Sequence, residues 1–244
     1  YPNAEQFIRR YYGAAEFIRG LERYCIWIED DERTIAEEIR PIRERIQKVR
    51  EFRSNSKAAE TRPAAAFPHR FRQIQSVAER ITYIVPQVSS ESRDYLPIGL
   101  LPERSIVSNL AFALYDAPLW NMALIASRLH LVWIATVCGK MKTDFRYSNT
   151  MGWNTFPVPK LTEKNKADLT RCAEDILLAR EAHFPATIAD LYNPETMPEN
   201  LRAAHARNDE VLERIYIGRR FRNDTERLEK LFEMYTKMTT KVPA

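Results

Sequence analysis

The chain has 244 residues, 45% of them hydrophobic and 11% aromatic, with a formal net charge of +4. That apolar content is enough for a packed core and excludes wholesale disorder. The longest apolar run, LWNMALIASRLHLVWIATVCG, is broken by Asn121, Ser127, Arg128 and His130, so it reads as a buried helix of a soluble protein and not as a membrane span.

Charge is unevenly laid out along the chain. Residues 1–160 carry 23 Lys+Arg against 18 Asp+Glu, while residues 161–244 carry 14 against 15. Arg outnumbers Lys 27 to 10, and a forked guanidinium is the better partner for phosphate and for guanine, although GC-rich coding produces the same bias. Cys25, Cys138 and Cys172 lie far apart with no CxxC, which predicts reduced core residues of an intracellular protein. The opening YPNAEQ has no initiator Met, and the expectation is a piece of a longer polypeptide.

Gly20 predicts a turn, followed by a strand from Arg23 to Ile28 that acidic residues end. Ile35, Ile39, Ile42, Ile46 and Val49 are spaced four and three, one face of a helix, kinked or restarted at Pro41. Residues 54–69 read as a loop, and ITYIVP, YLPIGLL and SIVSNLAFALYD as short strands of a mixed sheet. A helix is expected over 118–138, ended by Gly139. KMKTDFRYS then reads as one strand, with Lys142, Asp144 and Arg146 on one side and Thr143, Phe145 and Tyr147 on the other. Gly152, Pro157 and Pro159 mark a boundary, expected as a surface segment, and amphipathic helices follow near 163–183, 199–217 and 224–239. The fold class is α+β: a mixed-sheet domain over 1–160 and an all-α domain over 161–244.

No catalytic apparatus is legible. The six glycines never fall within three residues of one another, so no GxGxxG or Walker loop exists to cradle a cofactor phosphate. His69, His130, His183 and His205 have no neighbours at metal-ligand spacing, and no acid–x–Lys triplet of the nuclease type occurs. His130 on an apolar helix reads as a hydrogen-bonded core residue, and Cys25 as an inert buried thiol.

Several phrases, taken in order, resemble one family. EFIRGLERYCIWIED, VPQVSSESRDYLPIG, SNLAFALYDAPLW, SRLHLVW and GKMKTDFRYSNTMGWNTFPVP are similar to the target-recognition domain of the MmeI-like (Type IIL/IIG) restriction–modification proteins. IADLYNPETMPENLRAAHARND and LEKLFEMY resemble their helical C-terminal domain. The resemblance implies a bacterial, cytoplasmic parent that recognises a short word in double-stranded DNA and methylates adenine N6 with S-adenosylmethionine. Where an endonuclease is fused to it, Mg is also implied. The family's glycine-rich and Asn-Pro-Pro-aromatic motifs are absent here; the nearest string, NTFP at Asn154–Pro157, lacks the paired prolines. The fragment is therefore expected to be no enzyme by itself and to need no cofactor. Its expected partners are DNA and an upstream methyltransferase domain.

With that resemblance, Lys142 and Asp144 are expected to read one G·C pair, Lys donating to guanine O6 and N7 and Asp accepting from cytosine N4, with Arg146 on a neighbouring guanine or a phosphate. The competing reading is a Lys–Asp ion pair on a solvated edge. Ser89, Ser90 and Arg93 would hold phosphates or simply close a turn; Ser148 and Asn149 are donors where the strand leaves the sheet. Arg50, Arg53, Arg70 and Arg72 flank the long loop and would track the DNA backbone, whereas Arg219, Arg220 and Arg222 read as a charged inter-helix turn. The rival function is a protein-interaction or scaffold module without enzymatic activity.

Overall fold

Phe7 closes a 3-10 turn and leads straight into β1 (Ile8–Tyr12), which opens the chain's first sheet. The computed structural model describes residues 1–73 and 76–240, so the last four residues of the expected helical domain lie outside it. Helix α1 (Ala14–Arg19) ends on Gly20, whose φ of 65° places it in the left-handed region that a Cβ disfavours. Strand β2 (Tyr24–Ile26) follows, then α2 (Arg33–Glu38) and α3 (Arg40–Ser54). The expected restart is there: Ile39 is extended between the two helices, and Pro41 sits in the first turn of α3, where its missing N–H is no loss. Ile42 and Ile46 of α3 are buried against Phe7, Ile28 and Ala36, but Ile35 stays 56% exposed, so α2 contributes Ala36 and not Ile35 to that core.

The strands β3 (Thr82–Pro86), β4 (Val88–Ser89), β5 (Gly99–Leu101), β6 (Ile106–Val107) and β7 (Ala111–Tyr115) lead to α4 (Trp120–Ile125) and α5 (Arg128–Val137). Two helices here replace the single helix expected over 118–138. Ser127 adopts extended backbone between them, accepts a bond from the His130 N–H (3.1 Å), and donates to the Leu124 carbonyl (2.6 Å). It is an N-cap set inside an apolar run. After α5 come β8 (Gly139–Met141), β9 (Asp144–Arg146) and a π-helical turn at Asn149–Trp153.

Among the described residues these strands form three separate sheets, ordered β2-β1-β6, β5-β3-β7 and β4-β9-β8. The first is mixed, since β1 runs antiparallel to β2 and parallel to β6. Gly99 lies where a Cβ would come 2.2 Å from the Phe17 ring, so α1 packs directly on the backbone of β5.

The expected helices are present as α6 (Glu163–Glu181), α8 (Glu199–Ile217) and α9 (Asp224–Thr240), with a short α7 (Ile188–Leu191) between the first two. Thr162 with Asn165 and Thr187 with Asp190 form reciprocal capping boxes at the starts of α6 and α7. One apolar core joins the two halves: Tyr83, Val85, Leu96 and Ile98 from the strand region, Leu129 and Trp133 from α5, and Leu169, Ile176, Leu201 and Leu231 from the later helices. No regular element crosses Pro157 and Pro159, as proline chemistry requires. The segment is not the surface linker expected, however. Phe156 and Pro157 are buried, and the Pro157 carbonyl accepts a bond from the Tyr216 hydroxyl at 2.8 Å.

Candidate functional site

KMKTDFRYS is a hairpin and not a strand. Gly139 pairs with Arg146, Lys140 with Phe145 and Met141 with Asp144, which leaves Lys142 and Thr143 as a two-residue turn. Lys142 takes a φ of 59°, the positive first position found in type II′ turns. This corrects the expectation that Lys142, Asp144 and Arg146 share one strand face. Asp144 and Arg146 do share a face, while Lys142 stands at the exposed tip. No ion pair joins Lys142 to Asp144 among the described residues, so the Lys–Asp surface bridge is not what occupies these two groups.

Strand β9 is the middle of its sheet, and its other neighbour is β4, with Val88 opposite Arg146 and Ser89 opposite Phe145. The serine cluster and the charged hairpin, distant in sequence, are thereby brought together. The Glu91 N–H donates to Asp144 Oδ1 at 3.4 Å, and Lys140 Nζ reaches Glu91 Oε2 at 3.4 Å. Arg93 Nη1 donates to the buried Ser89 Oγ at 3.4 Å. Burial holds the Arg93 guanidinium below its usual range, and the Asp144 carboxylate partly offsets that. Ser90 and Ser92 share a hydroxyl–hydroxyl bond of 2.9 Å, closing the turn after β4.

The next residue, Tyr147, anchors the hairpin. It is buried, its N–H donates to the Gln87 carbonyl at 2.8 Å, and its hydroxyl shares a bond of 3.1 Å with His130 Nε2. Complete burial pushes the His130 imidazole down to about 3, so it is a neutral core residue, as its place on an apolar helix predicts. Ser148 is spent locally: its Oγ accepts from the Met151 N–H at 3.3 Å and caps the π-helical turn. Exposed Asn149 accepts from the Thr150 N–H at 2.9 Å through its own side chain.

Chemically, the sheet offers two cations, Lys142 and Arg146, without a protein acceptor among the described residues. Between them lies a carboxylate with one oxygen held by backbone and the other open. That set suits a surface of alternating hydrogen-bond acceptors and donors. Lys140 and Glu91 fasten the hairpin to the serine turn; Glu91 belongs to the polar cluster legible after the apolar strand and Lys140 to the KMKTDFRYS stretch, but that they pair is visible only once β4 and β9 are side by side.

Other expected residues fall elsewhere. Arg70 belongs to the region around β2 and α3, where it pairs with Asp30 at 2.8 Å and lies over the Phe67 ring. Arg72 is exposed and donates to the Glu60 carbonyl at 3.4 Å. Arg53 is not available to track a nucleic acid: it donates to the carbonyls of Ala64, Phe67 and Arg70 at 2.8–2.9 Å and clamps the loop after α3. Arg219 and Arg222 pair with Glu226 at 2.5 and 3.5 Å, the charged inter-helix turn expected there.

Among the described residues no cluster of His, Cys, Asp and Glu could hold a metal, and no helix is long and apolar enough to cross a membrane. The groove between β2 and α3, about 430 Å³, is lined by Ile8, Ile26, Ile42, Ile46, Arg45 and Arg53 among others, with no carboxylate in its wall.

Comparison with known proteins covers the chain from end to end. A family model described as "MmeI, target recognition domain" matches residues 1–160, and one described as "MmeI, C-terminal domain" matches residues 161–243. "DNA methyltransferase A" of Bacillus subtilis (strain 168) is 37% identical over 239 residues, covering 98% of this chain and 27% of that protein. The Type IIL restriction–modification enzyme MmeI, solved in complex with DNA, is 33% identical and superposes with a TM-score of 0.91 over 98% of this chain and 32% of its own. The chain thus spans about a third or less of the relatives it matches.

Proposed function

The chain belongs to the MmeI family of target-recognition and C-terminal domains, and on that premise we propose that it is the DNA-sequence-reading segment of a site-specific adenine-N6 DNA methyltransferase. The observation that supports this best is the superposition, over almost the whole chain, on an enzyme captured with DNA. In this reading residues 1–160 address the duplex and residues 161–244 brace that surface from behind through the shared core. The partners are double-stranded DNA and the methyltransferase part of the same polypeptide, and the setting is the cytoplasm of a bacterium. The segment transfers no methyl group itself; S-adenosylmethionine would be held by the rest of the enzyme.

The β4-β9-β8 sheet is the reading surface. Lys142 at the turn donates to guanine O6 and N7, and the open oxygen of Asp144 accepts from cytosine N4. Arg146, on the Asp144 face, takes the adjacent guanine or a phosphate. Ser89 of β4 and Arg93 from the turn after it support that strand; Ser90 and Ser148 hold the neighbouring turns in place, and Asn149 is the nearest further donor. Arg70 and Arg72 take backbone phosphates only by leaving their present partners.

Fluorescence anisotropy of the chain with short labelled duplexes across a salt series tests this. Affinity should fall linearly on log–log axes, as counterion release requires. Absence of binding at every salt concentration would leave a protein-interaction module as the better reading.

A further inference from the structure

Arg9 and Arg10 are neighbours in sequence and opposites in environment. Arg10 pairs with Glu22 at 2.7 Å, bonds the hydroxyls of Tyr12 (3.3 Å) and Tyr24 (2.9 Å), and lies over both rings. Arg9, on the other face of β1, forms no hydrogen bond or ion pair with any described residue, and its Nε is buried without an acceptor. Burial holds its guanidinium below the usual range, and the nearby Arg104 pushes it further down. Glu29 and Glu32 act on it in the opposite direction but bond elsewhere: Glu29 takes the Trp27 indole N–H at 2.6 Å, and Glu32 takes the Glu29 N–H at 3.0 Å.

Arg104 is also without a partner among the described residues. It is exposed in the tight connection from β5 to β6 and has a φ of 59°, a conformation that a long side chain rarely adopts without cause. The parallel pairing of β6 with β1 brings this connection beside Arg9. The face they share is aromatic: Arg9 lies over Trp27 at 5.6 Å, Phe71 stacks on Tyr11 at 5.9 Å, and Arg23 covers Tyr11 at 5.0 Å. Two neighbouring guanidiniums with no acceptor among the described residues, one of them over an indole at 5.6 Å, repel each other until an anion bridges them.

We propose that Arg9 and Arg104 form a phosphate clamp for the backbone of duplex DNA, carried on the β2-β1-β6 sheet apart from the base-reading hairpin. The inference rests on the DNA-reading function proposed above. The clamp fixes register and carries no sequence information.

The test is the salt dependence of binding of this chain to a pool of random-sequence duplexes, which a phosphate clamp engages whatever the sequence. Replacing both residues, Arg9→Gln with Arg104→Gln, should lower the log–log slope by about 1–2 and weaken binding on the order of tenfold at low salt. Arg104→Gln alone, in an exposed loop where it cannot unfold the chain, should lower the slope by roughly 1. Arg10→Gln should leave the slope unchanged. An unaltered slope in the double variant and in Arg104→Gln, with the parent chain binding normally, overturns the clamp alone. A parent chain that binds no duplex at any salt overturns the DNA-reading function and the clamp with it.

Discussion

Arg180 Nη1 donates to the carbonyl oxygen of Ile98 across 2.6 Å, tying the last turn of α6 to the residue that precedes β5. The guanidinium is buried and has no carboxylate partner among the described residues; its Nε instead donates to the Tyr192 hydroxyl at 2.9 Å, and that hydroxyl also bonds His205 Nε2 at 2.7 Å. A charge solvated by a carbonyl and a phenol makes the two halves one cooperative unit. Arg180→Ala removes the donor to the Ile98 carbonyl and leaves the Tyr192 hydroxyl with His205 alone, and should destabilise the chain by about 2–4 kcal/mol in urea unfolding. Two transitions in the parent chain, one for each half, would contradict that cooperativity.

Asp209 gives stability a pH dependence of unusual sign. Burial raises its carboxyl to about 7, although the Arg128 N–H (2.7 Å) and Tyr95 both donate to it. The folded state therefore keeps a proton that the unfolded chain has already released above about pH 4. Stability from this group is full below that pH and is lost as pH rises through 7. Asp209→Asn keeps an acceptor for Arg128 and cannot ionise, so its stability relative to the parent should improve steadily between pH 4 and 7. Parallel profiles for the two proteins would show that Asp209 titrates normally.

His130 acts in the opposite direction. Its folded value is about 3, so the unfolded chain takes up a proton near pH 6.5 that the folded chain refuses. The stability it contributes is complete above that pH and is lost as pH falls toward 3. In NMR its ring resonances should not shift between about pH 7.5 and 5.5, roughly one unit either side of the free value. A midpoint inside that range would place the ring in contact with water.

Gly99→Ala should cost about 1–3 kcal/mol, because the new Cβ meets the Phe17 ring at 2.2 Å. Pairing it with Phe17→Leu should recover part of the loss. If the double variant were no better than Gly99→Ala alone, the close approach of α1 to β5 would not be the reason for the glycine.

Reversing polarity at the hairpin tests the reading surface. Lys142→Glu with Asp144→Arg, made together in the longer enzyme, should move the preferred base at one position from G to C on that strand, as determined from the methylated sites. Either change alone should impair modification, since a matched base contact is worth about 1–3 kcal/mol. Full activity of the double variant on the original word would remove both residues from recognition.

Much of this architecture was legible because it is local. The three long helices announce themselves by period and by caps at Thr162 and Gly218, and the restart before α3 by Pro41. The hairpin was hidden for a physical reason: Lys142 and Thr143 turn the chain without Gly, Asn or Asp, so strict alternation read as one strand. Ser127 looked like a blemish in an apolar helix and is a cap. The difference between Arg9 and Arg10 could not be read at all, because it depends on which face of β1 meets Glu22 and which meets Arg104, and Arg104 is brought in by the sheet from far along the chain.

The β4-β9-β8 sheet shares no strand with the other two, and all of β8 is exposed. Phe145 and Tyr147 hold the hairpin to the protein interior, while positions 142 and 146 face outward. A lineage can therefore exchange the outward residues one at a time without passing through an unfolded intermediate. On the function proposed above, a change at the tip would alter what the surface meets while the inward contacts of Phe145 and Tyr147 stay as they are.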